Sequence, residues 1–295
     1  MIFKELKNIY GIISRHPIAG KQKTKSIFRF LKWQIARRLM PYPFIYPFVG
    51  EMKLILQQGL TSATAQYYMG LSEFEEMSFV LHFIEKEDLF IDVGANVGCF
   101  TLLASGVKKA NTIAIEPLPS TFQHLCNNLI INKLEENVEV LNIGMGAKEG
   151  NLEFTQHNSQ NNHVATKNDS NTVSVQIKTL DNVLKDKNPT MLKIDVEGFE
   201  RAVIDGCLDT LKKESLKVVL IELVGLGARY GYDELEIQEI LMSHGFKKYD
   251  YNPFKRELSA AKKLGHHNTI YVKDIIFTQK RVNEAPSFTI LQQKI

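Results

Sequence analysis

Cysteine is scarce in this sequence: the 295 residues include three, and none forms a C-x-x-C pair. Three scattered thiols, Cys99, Cys126 and Cys207, encode neither a disulfide framework nor a zinc ribbon, which favours a reducing compartment. No apolar run approaches the roughly 20 residues that a membrane-spanning helix needs. The apolar stretch near the basic N-terminus is too short for a signal peptide. We therefore expect a cytoplasmic chain that is neither secreted nor integral to a membrane.

Acidic residues are almost missing from the first forty residues, which contain ten Lys or Arg and one acid, Glu5. Of the 36 basic and 33 acidic residues in the chain, 26 and 32 therefore remain for the rest. The N-terminal segment thus carries +9 and the remainder −6 within a net charge of +3. An offset of this kind indicates that the basic end contacts something anionic, such as lipid, nucleic acid or an acidic substrate.

A basic amphipathic helix is predicted from Ser26 to Leu39, where apolar residues recur at helical spacing and Lys or Arg fill much of the remainder. Three prolines among the aromatics of residues 40–48 predict an extended hinge after it. Such a helix can lay its apolar side in the headgroup region of a membrane. We expect peripheral association of residues 1–40 with anionic lipid at the inner membrane surface.

Short apolar runs alternate with helical segments from Leu89 onward. Five runs have the β-branched or aliphatic character of strands buried on both faces of a parallel sheet, and they span 90–93, 112–115, 138–141, 191–194 and 218–221. The helical segments between most of them imply right-handed βαβ crossovers, so we predict an α/β fold with a doubly wound, Rossmann-like sheet. Runs at 246–251 and 269–272 predict two final strands.

The alternation is interrupted between Asn151 and Leu184. Runs at 152–154 and 173–177 predict an inserted β-hairpin, and the polar tract 156–172 between them predicts a mobile surface loop that serves as a lid or has no role. We accordingly divide the chain into three parts, which are a helical extension with hinge over 1–50, a main domain over 51–280 and a tail over 281–295.

A glycine-rich turn, Asp-Val-Gly-Ala-Asn-Val-Gly over 92–98, follows the first of these strands and precedes a helix. Gly94 and Gly98 let the backbone turn tightly and approach a ligand, and the helix N-terminus offers free N–H groups. A dinucleotide-binding loop reads G-x-G-x-x-G, whereas Asn96 stands where that fingerprint has glycine and Asp92 would repel phosphates. The turn therefore favours a cofactor with an amino or cationic group and no pyrophosphate.

Glu116 ends the next strand, 22 residues after Gly94. An acid about 20 residues beyond such a turn is placed to accept hydrogen bonds from ribose hydroxyls. A ribose beside a sulfonium describes S-adenosylmethionine better than NAD. Simple capping by Asp92 and Glu116 is the alternative, which their shared position beside the glycine turn disfavours.

Several motifs, in this order, resemble those of the FkbM-type methyltransferases, a class I S-adenosylmethionine-dependent family. They are F-I-D-V-G-A-N-V-G over 90–98, E-P at 116–117, N-I-G at 142–144, T-L-D at 179–181 and L-K-I-D-V-E-G-F-E over 192–200. The resemblance runs from about Leu60 to Phe277. It implies a seven-stranded sheet whose last strand is antiparallel, and methyl transfer usually to a hydroxyl of a sugar or natural product.

Carried over residue by residue, the resemblance implies a set of residues that hold S-adenosylmethionine. They are Asp92, Gly94, Asn96, Gly98, Glu116 and Asn142.

Acidic residues also end the fourth and fifth strands of the core. Because ligands of an open parallel sheet bind beyond the carboxyl ends of its strands, we predict that Asp195, Glu197 and Glu222 face the reactive end of the cofactor. Asp195 is the leading candidate for the base or the substrate-orienting group, and a base contributes about 10²- to 10⁴-fold. Glu200 is more simply the first residue of the next helix. Carboxylates can chelate Mg²⁺, but no residue demands a metal and we predict none.

The sequence thus predicts an enzyme that methylates a hydroxyl of a saccharide or other small-molecule acceptor. An NAD-dependent dehydrogenase is disfavoured by the missing third glycine. The basic, aromatic N-terminal segment raises the alternative of RNA methylation, although it suits a membrane surface at least as well. A non-catalytic binding protein on the same fold is a further alternative. It is disfavoured because the acids and glycines that the cofactor needs are all present. No sequence feature fixes an oligomeric state.

Overall fold

The structure is a computed structural model, and it describes residues 2–39, 42–156, 162–261 and 268–295, with side chains from residue 7 onward. Two sequence predictions fall partly outside these ranges, the hinge at residues 40–41 and the polar loop at residues 157–161.

Strands alternate with helices through the middle of the chain, as the apolar runs predicted. The strands are β1 (Phe44–Pro47), β2 (Lys53–Leu56), β3 (Leu89–Val93), β4 (Asn111–Ile115), β5 (Val138–Leu141), β6 (Gly144–Met145), β7 (Gly150–Thr155), β8 (Thr172–Lys178), β9 (Met191–Ile194), β10 (Val218–Glu222), β11 (Lys247–Asn252), β12 (Glu257–Ala260), β13 (Asn268–Val272), β14 (Thr289–Ile290) and β15 (Gln293–Lys294).

The helices lie before, between and after these strands. They are α1 (Ile2–Arg15), α2 (Lys23–Leu39), α3 (Thr61–Met69), α4 (Phe74–Phe83), α5 (Cys99–Thr101), α6 (Pro119–Asn132), α7 (Leu180–Val183), α8 (Glu200–Asp205), α9 (Leu208–Lys212), α10 (Glu234–Ser243) and α11 (Ile275–Glu284). A π-helix over Leu102–Val107 continues α5, and 3₁₀ turns span Ala19–Gln22 and Leu226–Tyr230.

An eight-stranded sheet in the order β12-β11-β13-β10-β9-β3-β4-β5 forms the centre of the fold. The strands from β10 to β5 run parallel, and β13 runs antiparallel to β10. The doubly wound sheet with an antiparallel last strand is therefore confirmed, and β12 adds an edge strand to the seven implied by the resemblance. The register places Asp92 beside Lys193 and Glu222 beside Asn268, so the acidic strand ends share one rim of the sheet.

The central strands are apolar on both faces, as predicted. Alternate residues of β3 enter different cores, with Phe90 in the core that contains α4 and Ile91 in the core that contains α8. Burial on both faces explains why these strands are nearly continuous apolar runs, since a solvated face would bring in polar residues at every second position.

The inserted hairpin is present as β7 and β8, and β6 completes a small three-stranded sheet beside them. This sheet has its own apolar cluster, which includes Phe154, Leu118 and Val164. Val164 belongs to the polar tract that the sequence predicted as a surface loop, yet it is buried and pairs with Phe154. Backbone hydrogen bonds also hold this part of the tract, from the N–H of Thr155 to the carbonyl of His163 at 2.9 Å and from the N–H of Ala165 to the carbonyl of Glu153 at 2.7 Å.

The N-terminal extension packs against the main domain. Ile13 and Phe30 share an apolar cluster with Met69 of α3, and Trp33 of α2 reaches the central core. The predicted hinge contains an extended strand, β1, which pairs antiparallel with β2 across the expected domain boundary at residue 50.

Residues 281–295, predicted as a tail, are integrated into the fold. The predicted boundary falls inside α11, and the hairpin of β14 and β15 buries Ile290 and Ile295 in the central core. Two isolated buried side chains are too few to produce a periodic pattern, so this packing could not be predicted from the sequence.

Replacing Ile290 with alanine should therefore destabilise the protein by about 2 to 4 kcal/mol, because deleting a buried branched side chain loses transfer energy and leaves a cavity. The matched control is Ile276→Ala, since Ile276 lies on neighbouring α11 and is 82% exposed; we expect a change within about 0.5 kcal/mol. Urea unfolding monitored by circular dichroism measures both. Equal stabilities of the two variants would contradict the packing of the C-terminal hairpin.

Candidate active site at the carboxyl rim of the sheet

The turn after β3 is built from residues with positive φ. Gly94, Asn96 and Gly98 have φ values of 75°, 51° and 89°. A Cβ at Gly94 would lie 1.8 Å from the carbonyl oxygen of Asp195, and one at Gly98 would lie 2.6 Å from Leu125 Cδ1. Both glycines are therefore required by the packing of the protein, whether or not a ligand is bound. Gly94 borders the cavities described below, whereas Gly98 packs on α6 and lines neither of them.

Glu116 is held rigidly at the end of β4. Its carboxylate accepts hydrogen bonds from the backbone N–H groups of Asn96 at 3.0 Å and Leu118 at 3.1 Å. The side-chain amide of Asn142 donates to the carbonyl oxygens of Glu116 and Pro117 at 2.8 and 3.0 Å. Burial raises the pKa of Glu116 to about 7, although the two N–H donors oppose the rise. Asn142, predicted as a cofactor ligand, thus supports the Glu116 loop and does not line the cavity.

The first cavity extends from Glu116 across the glycine turn to Asp195. Its polar side contains Gly94, Asn96, Glu116 and Glu197. Its apolar walls come from both the main sheet and the inserted sheet, and include Ile115, Leu118, Ile143, Met145, Phe154, Val164, Val196 and Phe199. A carboxylate next to a slot with apolar walls suits a ribose and a flat base, and the missing Cβ of Gly94 allows a ligand to approach the backbone. These residues fit the adenosyl group of S-adenosylmethionine.

The second cavity adjoins the first and contains most of the acidic side chains. Ser62, Gly94, Asn96, Asp195 and Glu197 line both cavities. Only the second is also lined by Glu73, Lys193 and Glu222. The two cavities therefore meet at the turn after β3 and at the end of β9.

Lys193 is a buried cation in the central strand β9. Its Nζ lies 3.1 Å from Asp195 Oδ2 and 3.8 Å from Asp92 Oδ1, and 4.9 Å from the centre of the Phe100 ring. Burial by itself lowers the pKa of Lys193, but the carboxylates of Asp195, Asp92 and Glu73 outweigh burial and raise it. Lys193 is therefore charged at neutral pH.

Asp92 lies behind the site. Its side chain is fully buried, its Oδ2 accepts a hydrogen bond from the hydroxyl of Thr101 at 2.7 Å, and it lines neither cavity. Its Oδ1 has no hydrogen-bond partner and faces the Lys193 ammonium. We predicted Asp92 as a cofactor ligand, whereas the structure places it where it anchors Lys193.

The other carboxyl groups of the second cavity bind protons more tightly than usual. Burial, followed by the neighbouring charges of Asp195 and Glu197, raises the pKa of Glu222 to about 9. Burial and the charge of Asp195 likewise raise the pKa of Glu73 to about 7, and the side-chain amide of Asn268 donates to Glu73 Oε2 at 2.6 Å. Glu222 is therefore protonated at neutral pH, and Glu73 is close to its midpoint.

Glu200 stabilises the turn after β9. Its Oε1 accepts hydrogen bonds from the backbone N–H groups of Val196 at 3.1 Å and Gly198 at 3.0 Å. Glu197 and Gly198 have positive φ values of 56° and 100°. This backbone directs Glu197 to both cavities, and burial together with Asp195 raises the pKa of Glu197 to about 7. Glu200 is the first residue of α8 and has the structural role expected of it.

Six of the predicted residues thus line the cavities, namely Gly94, Asn96, Glu116, Asp195, Glu197 and Glu222. Sequence reasoning missed Glu73 and Lys193. A lysine within the apolar run Met-Leu-Lys-Ile was a readable signal, since a charge in a strand buried on both faces requires partners. Glu73 precedes a helix and gave no comparable signal. Within the described ranges, no three His, Cys, Asp or Glu side chains are grouped so that they could hold a metal ion.

Among solved structures, the precorrin-6y C5,15-methyltransferase from Geobacter metallireducens is similar, with a TM-score of 0.40 and 14% identity over 68% of this chain and 88% of that chain. TYW2 from M. jannaschii in complex with AdoMet has a TM-score of 0.39 and 15% identity, covering 78% and 84%.

Two curated proteins are similar in sequence. The hexuronic acid methyltransferase AglP of Haloferax volcanii is 29% identical over 174 residues, or 57% of this chain and 67% of AglP. The methyltransferase sdnD of Sordaria araneosa is 26% identical over 175 residues, or 47% of this chain by coverage and 67% of sdnD. The family described as methyltransferase FkbM domain matches residues 92–248, just over half of the chain, from the glycine turn to β11. The chain therefore belongs to the FkbM family of S-adenosylmethionine-dependent methyltransferases, as its motifs predicted.

Proposed function

We propose that this protein transfers the methyl group of S-adenosylmethionine to a hydroxyl group of a saccharide. The observation that carries the proposal is the junction of the two cavities, where a cofactor slot opens onto a chamber lined with carboxyl groups. When bound, S-adenosylmethionine supplies a methyl group made electrophilic by its sulfonium. Glu116 would accept hydrogen bonds from the ribose, and the backbone at Gly94 would contact the remainder of the cofactor.

The acceptor hydroxyl must lose its proton as its oxygen attacks the methyl group, in line with the carbon–sulfur bond that breaks. Asp195 is the carboxylate positioned to take up that proton. Lys193 lies 3.1 Å from Asp195 Oδ2 and fixes that side chain at the junction of the cavities. Glu222 was predicted as a catalytic carboxylate. Burial raises the pKa of Glu222 to about 9, so its carboxyl group is neutral. A neutral carboxyl donates a hydrogen bond to an oxygen atom of the saccharide and does not serve as a base.

A saccharide acceptor is supported by the walls beyond the second cavity. Glu73 also lines a larger cleft between α1 and the antiparallel edge of the sheet. The cleft is lined by the half-buried ring of Tyr249 and by the exposed acids Glu75 and Asp250, whereas Phe74 and Tyr251 are buried. Carboxyl groups accept hydrogen bonds from hydroxyls, and an aromatic ring offers an apolar face to the C–H groups of a sugar ring. The name of AglP, a hexuronic acid methyltransferase, points to the same class of acceptor.

The direct test is incubation of the purified protein with methyl-labelled S-adenosylmethionine and a glycan extract of the native organism, alongside defined hexuronic acid saccharides. We expect label in a saccharide fraction, and label that survives mild alkaline hydrolysis identifies a methyl ether. Release as methanol would identify an ester and contradict transfer to a hydroxyl. Label confined to RNA or protein would overturn the saccharide assignment.

Glu116→Gln should weaken binding of S-adenosylhomocysteine roughly 10- to 100-fold, because hydrogen bonds to a charged group are worth about 1.5 to 3 kcal/mol. Since the pKa of Glu116 is raised to about 7, the carboxylate form increases between pH 6 and pH 8, and the affinity of the unaltered protein should rise over that range. The variant should lose this rise. Calorimetry measures both effects, with Glu139→Gln as the control because Glu139 pairs with Lys187 at the surface. Unchanged affinity in Glu116→Gln would remove the ribose contact from the proposal.

Asp195→Asn should lower kcat by about 10²- to 10⁴-fold, since an amide cannot take up the hydroxyl proton. Binding of S-adenosylhomocysteine should change less than about tenfold, because the side chain keeps its shape. The control is Asp186→Asn, an exposed carboxylate that precedes the amino end of β9, whereas Asp195 follows its carboxyl end. If Asp195→Asn retains its kcat while Glu73→Gln loses it, the base is Glu73.

A further inference from the structure

Helix α2 exposes a row of apolar side chains that the fold does not use. Phe28, Leu31, Ile35 and Leu39 are 67%, 39%, 58% and 76% exposed. At 3.6 residues per turn these four side chains lie within roughly 80° of one another around the helix axis. We name them the α2 stripe. Single exposed apolar residues are ordinary, whereas a contiguous row of them marks an interaction surface.

The stripe lies on the side of α2 opposite to the one that packs. Ser26, Phe30 and Trp33 are buried and face the protein, roughly 180° from the stripe. The Phe30 ring contacts Tyr68 of α3 at 5.5 Å between centroids, and Trp33 contacts Phe44 of β1 at 5.6 Å. These contacts fix the rotation of α2, so the stripe is held outward and cannot turn inward to bury itself.

Basic side chains flank the α2 stripe on both sides. On the helical projection Lys32 lies beside one edge and Arg38 beside the other, and both are exposed. Residues 1–40 as a whole carry +9. Two further exposed apolar side chains, Tyr42 at 77% and Ile45 at 56%, follow in the chain. An apolar row between cations complements a surface that has negative headgroups above hydrocarbon.

The composition of the stripe distinguishes a lipid surface from RNA. Single-stranded RNA is bound by aromatic side chains that stack on bases, together with cations along its backbone. Three of the four stripe residues are aliphatic, and only Phe28 can stack on a base. Aliphatic side chains gain free energy by entering hydrocarbon, which is what a membrane offers.

We propose that α2 binds the surface of an anionic membrane, with the α2 stripe inserted at the boundary between headgroups and acyl chains and Lys32 and Arg38 against lipid phosphates. The binding is peripheral, since no helix in the described part of the chain is long and apolar enough to cross a bilayer. It is independent of the proposed function, because none of the stripe residues lines a cavity of the site.

Vesicle flotation with the full chain tests the proposal. The vesicles contain three parts phosphatidylcholine and one part phosphatidylglycerol, with phosphatidylcholine alone as the comparison. We expect the unaltered protein to float with the anionic vesicles and to be released by high salt, because the cations contribute through screened attraction. No flotation with anionic vesicles at low salt would overturn the proposal.

The triple variant Phe28→Ser, Leu31→Ser and Ile35→Ser should bind the anionic vesicles at least about tenfold more weakly, since it removes most of the inserted apolar area. The matched control is the double variant Ile276→Ser and Met242→Ser, which removes exposed apolar side chains elsewhere. A second test variant, Lys32→Gln with Arg38→Gln, removes the flanking cations. It should bind the anionic vesicles more weakly and with a smaller dependence on salt.

Folding of each variant is checked by the affinity for S-adenosylhomocysteine, which none of these surface residues should alter. Light scattering in the absence of lipid measures the oligomeric state, and so tests whether a second copy of this chain covers the α2 stripe. If the unaltered protein is a dimer that the stripe variant converts to a monomer, a second copy of this chain covers the stripe and the proposal is wrong. Equal flotation of the stripe variant and the unaltered protein would also overturn it.

Discussion

Lys193 places a buried ammonium group among the apolar side chains of the central strands, and acidic residues of the site lie around it. Asp92 reaches it from the neighbouring strand and Asp195 from the end of its own strand. Removing one partner of such a buried group leaves an uncompensated charge, which costs about 3 to 5 kcal/mol. The ion cluster therefore joins β3 to β9 at the rim where the two cavities meet. Asp92 at the start of the glycine turn and Asp195 at the junction of the two cavities share the Lys193 ammonium as counter-ion.

The other acids around this cluster bind protons more tightly than usual. Burial first and neighbouring acids second raise the pKa of Glu222 to about 9 and the pKa values of Glu73 and Glu197 to about 7. Asp195 differs from them in its contact with the Lys193 ammonium, which lies 3.1 Å from its Oδ2. Carboxyl groups in such different surroundings can have different chemical roles within one chamber.

The strands of the sheet were predictable because burial on both faces produces a simple sequence pattern, four or five consecutive residues that are mostly β-branched or aliphatic. The residues at the strand ends were predictable for a related reason, since parallel strands bring their carboxyl ends to one rim. Asp92 shows the limit of this reasoning. Its position at the strand end is as predicted, but whether a strand-end side chain points into the cavity or behind it depends on the pleat and on partners such as Thr101.

The parts that escaped prediction depend on contacts distant in sequence. Glu73 joins the site because the side-chain amide of Asn268 in β13, 195 residues away in the sequence, donates a hydrogen bond to it. The rotation of α2 was not readable either: the helix carries two sets of apolar residues, and the periodic set, which contains Phe28 and Ile35, is the one left exposed. Phe30 and Trp33 bury the other side because aromatic partners from α3 and β1 meet them there.

The contact between Gly94 and the carbonyl of Asp195 also determines how these two turns can be exchanged between proteins. The carbonyl oxygen of Asp195 occupies the space that a side chain at position 94 would need. Grafting the 92–98 turn onto a related scaffold without the 195–200 turn would leave either a clash or a void at the rim. A chimera designed from this chain must therefore carry both segments together, although they are far apart in the gene.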